Sequence, residues 1–323
     1  MAVAQSATFF AHSGKSQGWL RAISAATVLA VFALIILGGV VRVTGSGLGC
    51  PDWPLCHGKL LPPLEFTAII EYSHRLVASA IVGPLILLTC GTVWLAHRRE
   101  PWLVIPASLS VVLLIGQALL GGVTVLQELP GEIVALHLAV AEALLACLML
   151  LTVVAFRGPL CFRSRQPKGE NADRFPMLAI IAGVGVYFLI LSGSIVTGSG
   201  ATAACVTWPL CQGDLFPQQA PAAIHMGHRF VAAIVGVFVL YVAHLGFRNK
   251  ERPRDVRLMS MTVAALFVVQ VAVGAITIFA RFPIGLMALH LALGTAVWGA
   301  VAALGMLAFT RQPESGPSPQ GAS

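Results

Sequence analysis

Apolar residues fall into eight long runs along the chain, near 22–41, 68–96, 102–126, 131–156, 176–196, 221–247, 258–280 and 284–310, separated by shorter segments that are polar or contain Pro and Gly. A helix that crosses a bilayer needs roughly 20 mostly apolar residues, and every run meets that length. The pattern predicts an all-α integral membrane protein with eight transmembrane helices. Four runs precede a polar cytoplasmic linker at 158–175 and four follow it. The expected organisation is an N-terminal four-helix repeat over 21–157 and a C-terminal one over 176–310, forming two tandem four-helix bundles. An even number of spans per repeat gives both the same orientation, related by a pseudo-twofold axis along the membrane normal. Residues 1–20 read as a short polar cytoplasmic tail with no cleavage-site pattern after the first run, so helix 1 is taken as a true span. The tail 311–323, rich in Pro, Gly and Ser, is predicted to be disordered.

Composition agrees with this reading. Hydrophobic residues make up 57% of the chain and charged residues 10%, more apolar surface than a soluble core of this size can hide. The basic residues are uneven. Fifteen lie on the side of the termini, among them Arg98, Arg99, Arg157, Arg163, Arg165, Lys168 and Arg254, and five lie opposite: Arg42, Lys59, Arg75, Arg229 and Arg281. The positive-inside rule places both termini in the cytoplasm and the chain in the inner (cytoplasmic) membrane. This bias accounts for most of the net charge of +7, and no nucleic-acid partner is needed to explain it.

The two halves repeat each other. The first contains Val43-Thr44-Gly45-Ser46-Gly47, Cys50, Trp53-Pro54-Leu55-Cys56, His74-Arg75, Gln117 and His137; the second contains Val196-Thr197-Gly198-Ser199-Gly200, Cys205, Trp208-Pro209-Leu210-Cys211, His228-Arg229, Gln270 and His290. Offsets between these equivalents stay at 153 to 155, the signature of a duplicated unit. Of nine histidines, His12, His57, His97 and His244 fall in tails, loops or helix ends and are expected to be interfacial or solvated. His74, His137, His228 and His290 lie within helices 2, 4, 6 and 8, about 10 Å below the outer surface at 1.5 Å per residue. Ionisable groups inside a membrane face a bundle interior or a site. Helices 2 and 4 can face each other across a four-helix bundle, which suits two imidazoles ligating a haem iron from both sides. Zinc is disfavoured, because two imidazoles leave further ligands unsupplied.

Differences between the halves mark candidate chemistry. Glu71 precedes His74 by one turn, and the second half has His225 in its place, read as a residue around the site or a substitute ligand. Arg42 aligns with Ile195 when the two pentapeptides are superposed. Glu71 and Arg42 are either working groups or an interfacial ion pair. Arg75 and Arg229 each follow a candidate ligand and are read either as partners of haem propionates or as side chains reaching the headgroups. Cys50 with Cys56, and Cys205 with Cys211, span short external loops on the side where disulfides form. They are read as structural staples or, alternatively, as exposed redox disulfides. The nearby Trp residues suit interfacial anchoring. Cys90, Cys147 and Cys161 read as packing or surface thiols.

The run Gly38-Gly39-Val40-Val41-Arg42 through Gly49-Cys50-Pro51-Asp52-Trp53-Pro54-Leu55-Cys56-His57-Gly58, the Glu71-x-x-His74-Arg75 motif and its echo in the second half resemble haem A synthase. The resemblance covers essentially all eight helices. It implies oxidation of the C8 methyl of haem O to a formyl group, giving haem A for terminal oxidases. It further implies haem O at His74 and His137, a haem b cofactor at His228 and His290, and Glu71 as the carboxylate beside the first histidine. Expected partners are haem O, membrane lipid, a farnesyltransferase that makes haem O, an electron donor or acceptor, and a second copy of the chain. Two other functions compete. A di-haem b-type electron-transfer cytochrome explains the histidines but not why only one half carries Glu71 and Arg42, and a disulfide-generating oxidoreductase leaves the histidines idle.

Overall fold

The computed structural model describes residues 14–160 and 173–310. Among them are eight membrane-length apolar helices: α1 (Gly14–Val43), α2 (Phe66–Ala96), α3 (Pro101–Leu126), α4 (Gly131–Arg157), α5 (Phe175–Gly198), α6 (Ala220–Arg248), α7 (Arg254–Phe279) and α8 (Ile284–Ala308). Each predicted run is found, with ends displaced by up to eight residues. Of the expected cytoplasmic tail, linker and C-terminal tail, residues 1–13, 161–172 and 311–323, with His12 and Cys161, lie outside the described residues.

Apart from Pro84 inside α2 and Pro106 inside α3, the helix prolines stand where the missing N–H does no harm. Pro101, Pro176 and Pro221 stand in first turns, while Pro130, Pro253 and Pro283 immediately precede α4, α7 and α8. The α3–α4 and α7–α8 reversals are built alike. Glu128 and Leu129 (φ 60° and 64°) correspond to Arg281 and Phe282 (φ 63° and 60°), and the N–H groups of Leu129 and Phe282 return to the carbonyls of Thr124 and Thr277 at 2.8 Å. These left-handed residues satisfy carbonyls at the helix ends.

In the first half α1 packs on α2, α2 on α3, α3 on α4 and α4 on α1; α5 to α8 repeat this ring. Diagonal helices, α2 with α4 and α6 with α8, have no Cα atoms within 8 Å of each other. The halves meet through α1, α4, α5 and α8, and there the core is most continuous, with Leu144, Leu145, Leu148, Leu151, Val297, Val301 and Leu304 buried. Large apolar side chains such as Leu29, Ile105, Val112, Phe188 and Val237 point outward, as a lipid-facing surface requires.

The structure corrects one alignment. Helices α1 and α5 end at Val43 and Gly198, and the left-handed glycines that follow are Gly45 (φ 66°) and Gly200 (φ 72°). The register there is 155, so the two identical pentapeptides stand two residues apart. The counterpart of Arg42 is Thr197, not Ile195. Backbone hydrogen bonding, which repeats as Ser46 N to Val41 O and Ala201 N to Val196 O, sets the equivalence.

Candidate functional site

His74 and His228 lie eight residues past the starts of α2 and α6; His137 and His290 lie six past the starts of α4 and α8. Each half therefore brings two histidines from diagonal helices toward the space its ring encloses. All four rings rest on a glycine of the preceding helix. A Cβ on Gly38 would stand 3.1 Å from His74 Cε1, on Gly121 3.3 Å from His137, on Gly193 3.2 Å from His228 and on Gly274 2.9 Å from His290. Small residues let membrane helices and their side chains approach closely, and here they seat an imidazole. On the fourth helix of each half the histidine also meets a glutamine: Gln117 Nε2 is 3.3 Å from His137 Nε2, and Gln270 Nε2 is 3.4 Å from His290 Nε2.

The Nδ1 atoms of His74, His137 and His290 are buried without a hydrogen-bond partner. Ser192 Oγ meets His228 Nδ1 at 2.8 Å. Buried polar atoms are normally satisfied, so these three orphaned imidazole nitrogens are open to a partner from outside the polypeptide. Two imidazoles supplied by diagonal helices are donors of the kind that hold an iron porphyrin.

Glu71 is buried at the loop end of α2. Its Oε2 accepts from the Cys50 N–H at 2.7 Å and its Oε1 from Arg75 Nη2 at 2.5 Å. Its ion-pair partner is therefore Arg75. Arg42 instead donates to the Thr197 carbonyl of the other half at 3.1 Å, so the ion-pair alternative for Glu71 and Arg42 is not realised. Arg75 also donates to the carbonyls of Cys50, Asp52 and Leu55 at 2.7 to 2.8 Å. Arg229 repeats this on Cys205, Thr207 and Leu210. Both guanidiniums clamp the loop above their histidine, a role that neither the propionate nor the headgroup expectation described. His225 occupies the place of Glu71: its Nδ1 is 3.2 Å from the Ala201 carbonyl and its Nε2 3.4 Å from Arg229 Nη2. Both ring nitrogens thus meet groups of the loop and of Arg229.

The two disulfides are formed, with sulfur–sulfur distances of 1.98 Å for Cys50–Cys56 and 2.02 Å for Cys205–Cys211. All four cysteines are buried, which corrects the picture of an exposed bridge. The loop around the first is tightened by Asp52, which accepts from the N–H groups of His57 at 2.6 Å and Gly58 at 2.7 Å. The Gly58 bond foremost, then the His57 bond, holds the Asp52 carboxyl below its usual range. Thr207 takes the same position in the second half, accepting from the Gln212 N–H at 2.7 Å. Trp53 lays its ring beside Gly122 of α3 and so ties the loop to the bundle. His57 and His244 are exposed, as expected. His97 is not: it is buried at the α2 end, 3.0 Å from Glu100 Oε1.

Sequence reasoning passed over several residues. The four seating glycines and Ser192 carry no charge to attract notice, although the glycines recur in both halves. Glu142 on α4 is fully buried; its Oε1 accepts from Thr295 Oγ1 of α8 at 2.8 Å, while Oε2 has no partner. A lone acidic residue inside an apolar run was the available signal.

Residues 21–302 match the cytochrome oxidase assembly protein family. A heme A synthase of Exiguobacterium sibiricum is 32% identical over 302 residues, 92% of this chain and 98% of that protein. One of Exiguobacterium sp. is 31% identical over 90% of this chain and 93% of its own length. One of Alkalihalophilus pseudofirmus is 35% identical over 78% and 84%.

Proposed function

The chain belongs to the cytochrome oxidase assembly protein family, and we propose that within it the chain acts as a haem A synthase, a membrane oxidoreductase whose substrate is haem O. The carrying observation is the pairing of glycine-seated histidines in both halves, with a buried carboxylate beside only the first pair. That asymmetry suits one half that works on its haem and one that keeps it. In this reading the first half, 21–157, takes haem O on His74 and His137, and the second, 176–310, holds haem b on His228 and His290.

The proposed reaction converts the C8 methyl of haem O to a formyl group. With one water taken up, that change releases four electrons and four protons. Haem b, when bound, supplies an electron-carrying centre between the first half and an external electron partner. Glu71 receives protons near His74 and hands them toward the loop, where the Cys50 N–H and Arg75 hold its two oxygens in place. Gln117 and Gln270 steady the imidazoles of His137 and His290, and Ser192 steadies that of His228. The two disulfide loops lie on the side opposite the basic loops, which supports cytoplasmic termini in the inner membrane.

Pigment extraction from the purified protein tests the reading. Haem b together with haem O or haem A is the expected result. Haem b alone, in both halves, would make the chain an electron-transfer cytochrome, and absence of haem would remove both readings.

A further inference from the structure

The two halves part company at one turn of α2. Arg75-Leu76-Val77-Ala78 matches Arg229-Phe230-Val231-Ala232 at an offset of 154, and Ala80-Ile81-Val82-Gly83 matches Ala233-Ile234-Val235-Gly236 at 153. Ser79 has no counterpart. The first half thus carries one extra residue immediately after its histidine motif, and the backbone shows where it goes. Residues Ala78–Val82 form a π-helical turn within α2, whereas α6 is α-helical from Ala220 to Arg248. The N–H of Gly83 reaches back five residues to the Ala78 carbonyl. Because the flanking sequences keep their correspondence, the insertion is absorbed inside the turn.

Three further features loosen this place. Pro84 follows directly and has no N–H to return to the preceding turn; its counterpart is Val237. The Ser79 hydroxyl bonds the Arg75 carbonyl at 2.9 Å, a local alternative to helix bonding. A Cβ on Gly83 would meet only the Ala78 carbonyl, whereas one on Gly236 would stand 2.6 Å from the Phe267 ring. Gly236 is therefore packed against a ring of α7 where its counterpart Gly83 meets no side chain of α3. From Phe66 to Val82, α2 has no Cα atom within 8 Å of α3, and the two helices come together only along Gly83–Ala96. The stretch that stands apart includes His74. Ser79, Ala80 and Ile81 are exposed.

We propose that the π-helical turn at Ala78–Val82 is the hinge that lets the first half exchange its haem sideways with the membrane, between α2 and α3, while the unbroken α6 keeps the haem of the second half in place. The inference rests on the assignment of haem O to the first half and haem b to the second. A π-turn has fewer well-formed bonds than an α-turn and is a recurrent site of local adjustment. The outer part of α2 swings there with His74 attached, and the lower part stays packed on α3.

Deleting Ser79 restores the register of α6, and inserting a serine between Ala232 and Ala233 gives the second half the extra residue. Full-length proteins loaded with haem O and haem b are mixed with excess apomyoglobin, and the pigment transferred over time is extracted and identified. Wild type should release haem O well before haem b. The Ser79 deletion should slow haem O release by about tenfold or more with its ligated spectrum retained, and the insertion should speed haem b release by a similar factor, as expected when a local opening step is removed or added. Unchanged haem O release from the deletion variant overturns the proposal. If that variant does not accumulate, unchanged haem b retention in the insertion variant overturns it instead. A wild-type protein that takes up no haem O contradicts the functional reading itself, a result distinct from either.

Discussion

Thr295 Oγ1 donates a hydrogen bond to Glu142 Oε1 at 2.8 Å, and the two residues are each other's counterparts, separated by the same 153 positions as His137 and His290. Each lies five residues beyond its histidine, turned to the other side of its helix, so the helices that carry His137 and His290 are joined back to back. The Trp298 indole adds a bond to the Glu142 carbonyl at 3.2 Å. Thr295→Val should leave both carboxyl oxygens of Glu142 buried without a partner and lower stability by roughly 1–3 kcal/mol. Pairing it with Glu142→Leu should recover much of that loss. Thermal unfolding of the two single variants and the double variant reads the coupling, and strict additivity would contradict a direct tie between the halves.

The glycine seats give a prediction specific to each half. Gly274→Ala places a methyl 2.9 Å from His290 Cε1 and Gly193→Ala places one 3.2 Å from His228; both should lower haem b content. Gly38→Ala and Gly121→Ala should leave haem b bound and reduce haem A yield. Haem b measured in each purified variant checks the division.

Removal of the histidines should follow the same division. His228→Ala and His290→Ala should each lose haem b, while His74→Ala and His137→Ala should keep it and accumulate haem O. The reverse distribution of pigments would exchange the roles of the two halves.

Glu71→Gln keeps the side chain's shape and its acceptor oxygen but removes the exchangeable carboxyl proton. Haem binding should persist while conversion slows or stops partway, so that an alcohol intermediate builds up relative to haem A. Chromatography of extracted pigment decides; normal haem A with no intermediate would leave Glu71 as an anchor of the Cys50 loop only.

Replacing Cys50 and Cys56 together by Ser should lower the melting temperature, since closing so short a loop is worth about 2 kcal/mol, with haem b retained. The burial of both sulfurs predicts that stability suffers more than turnover per folded molecule. A melting temperature left unchanged beside abolished haem A yield would instead indicate a redox disulfide.

Much of this protein is legible along the chain. Runs of apolar residues specify the eight helices because a bilayer allows only hydrogen-bonded helices over that length. The cysteine pairs and the four intramembrane histidines stand out because each is costly or reactive where it sits. Chain order does not state which partner a long polar side chain reaches. Arg42 and Arg75 both lie within reach of Glu71 by sequence, and only packing settles that Arg75 takes it while Arg42 crosses to Thr197.

Identity of sequence misled at the pentapeptides, where left-handed glycines and helix ends, not matching letters, set the register. The insertion of Ser79 was present in the offsets as a step from 154 to 153, but its form as a π-turn depends on flanking helices held in place by their neighbours. The sequence by itself determined which segments cross the membrane and which of them carry histidines, because both follow from local composition. Only the tertiary structure decided the glycine beneath each imidazole, the carbonyls held by Arg75 and Arg229, and the meeting of Glu142 with Thr295. Those contacts join residues that are distant in the chain, and the packing of whole helices selects them.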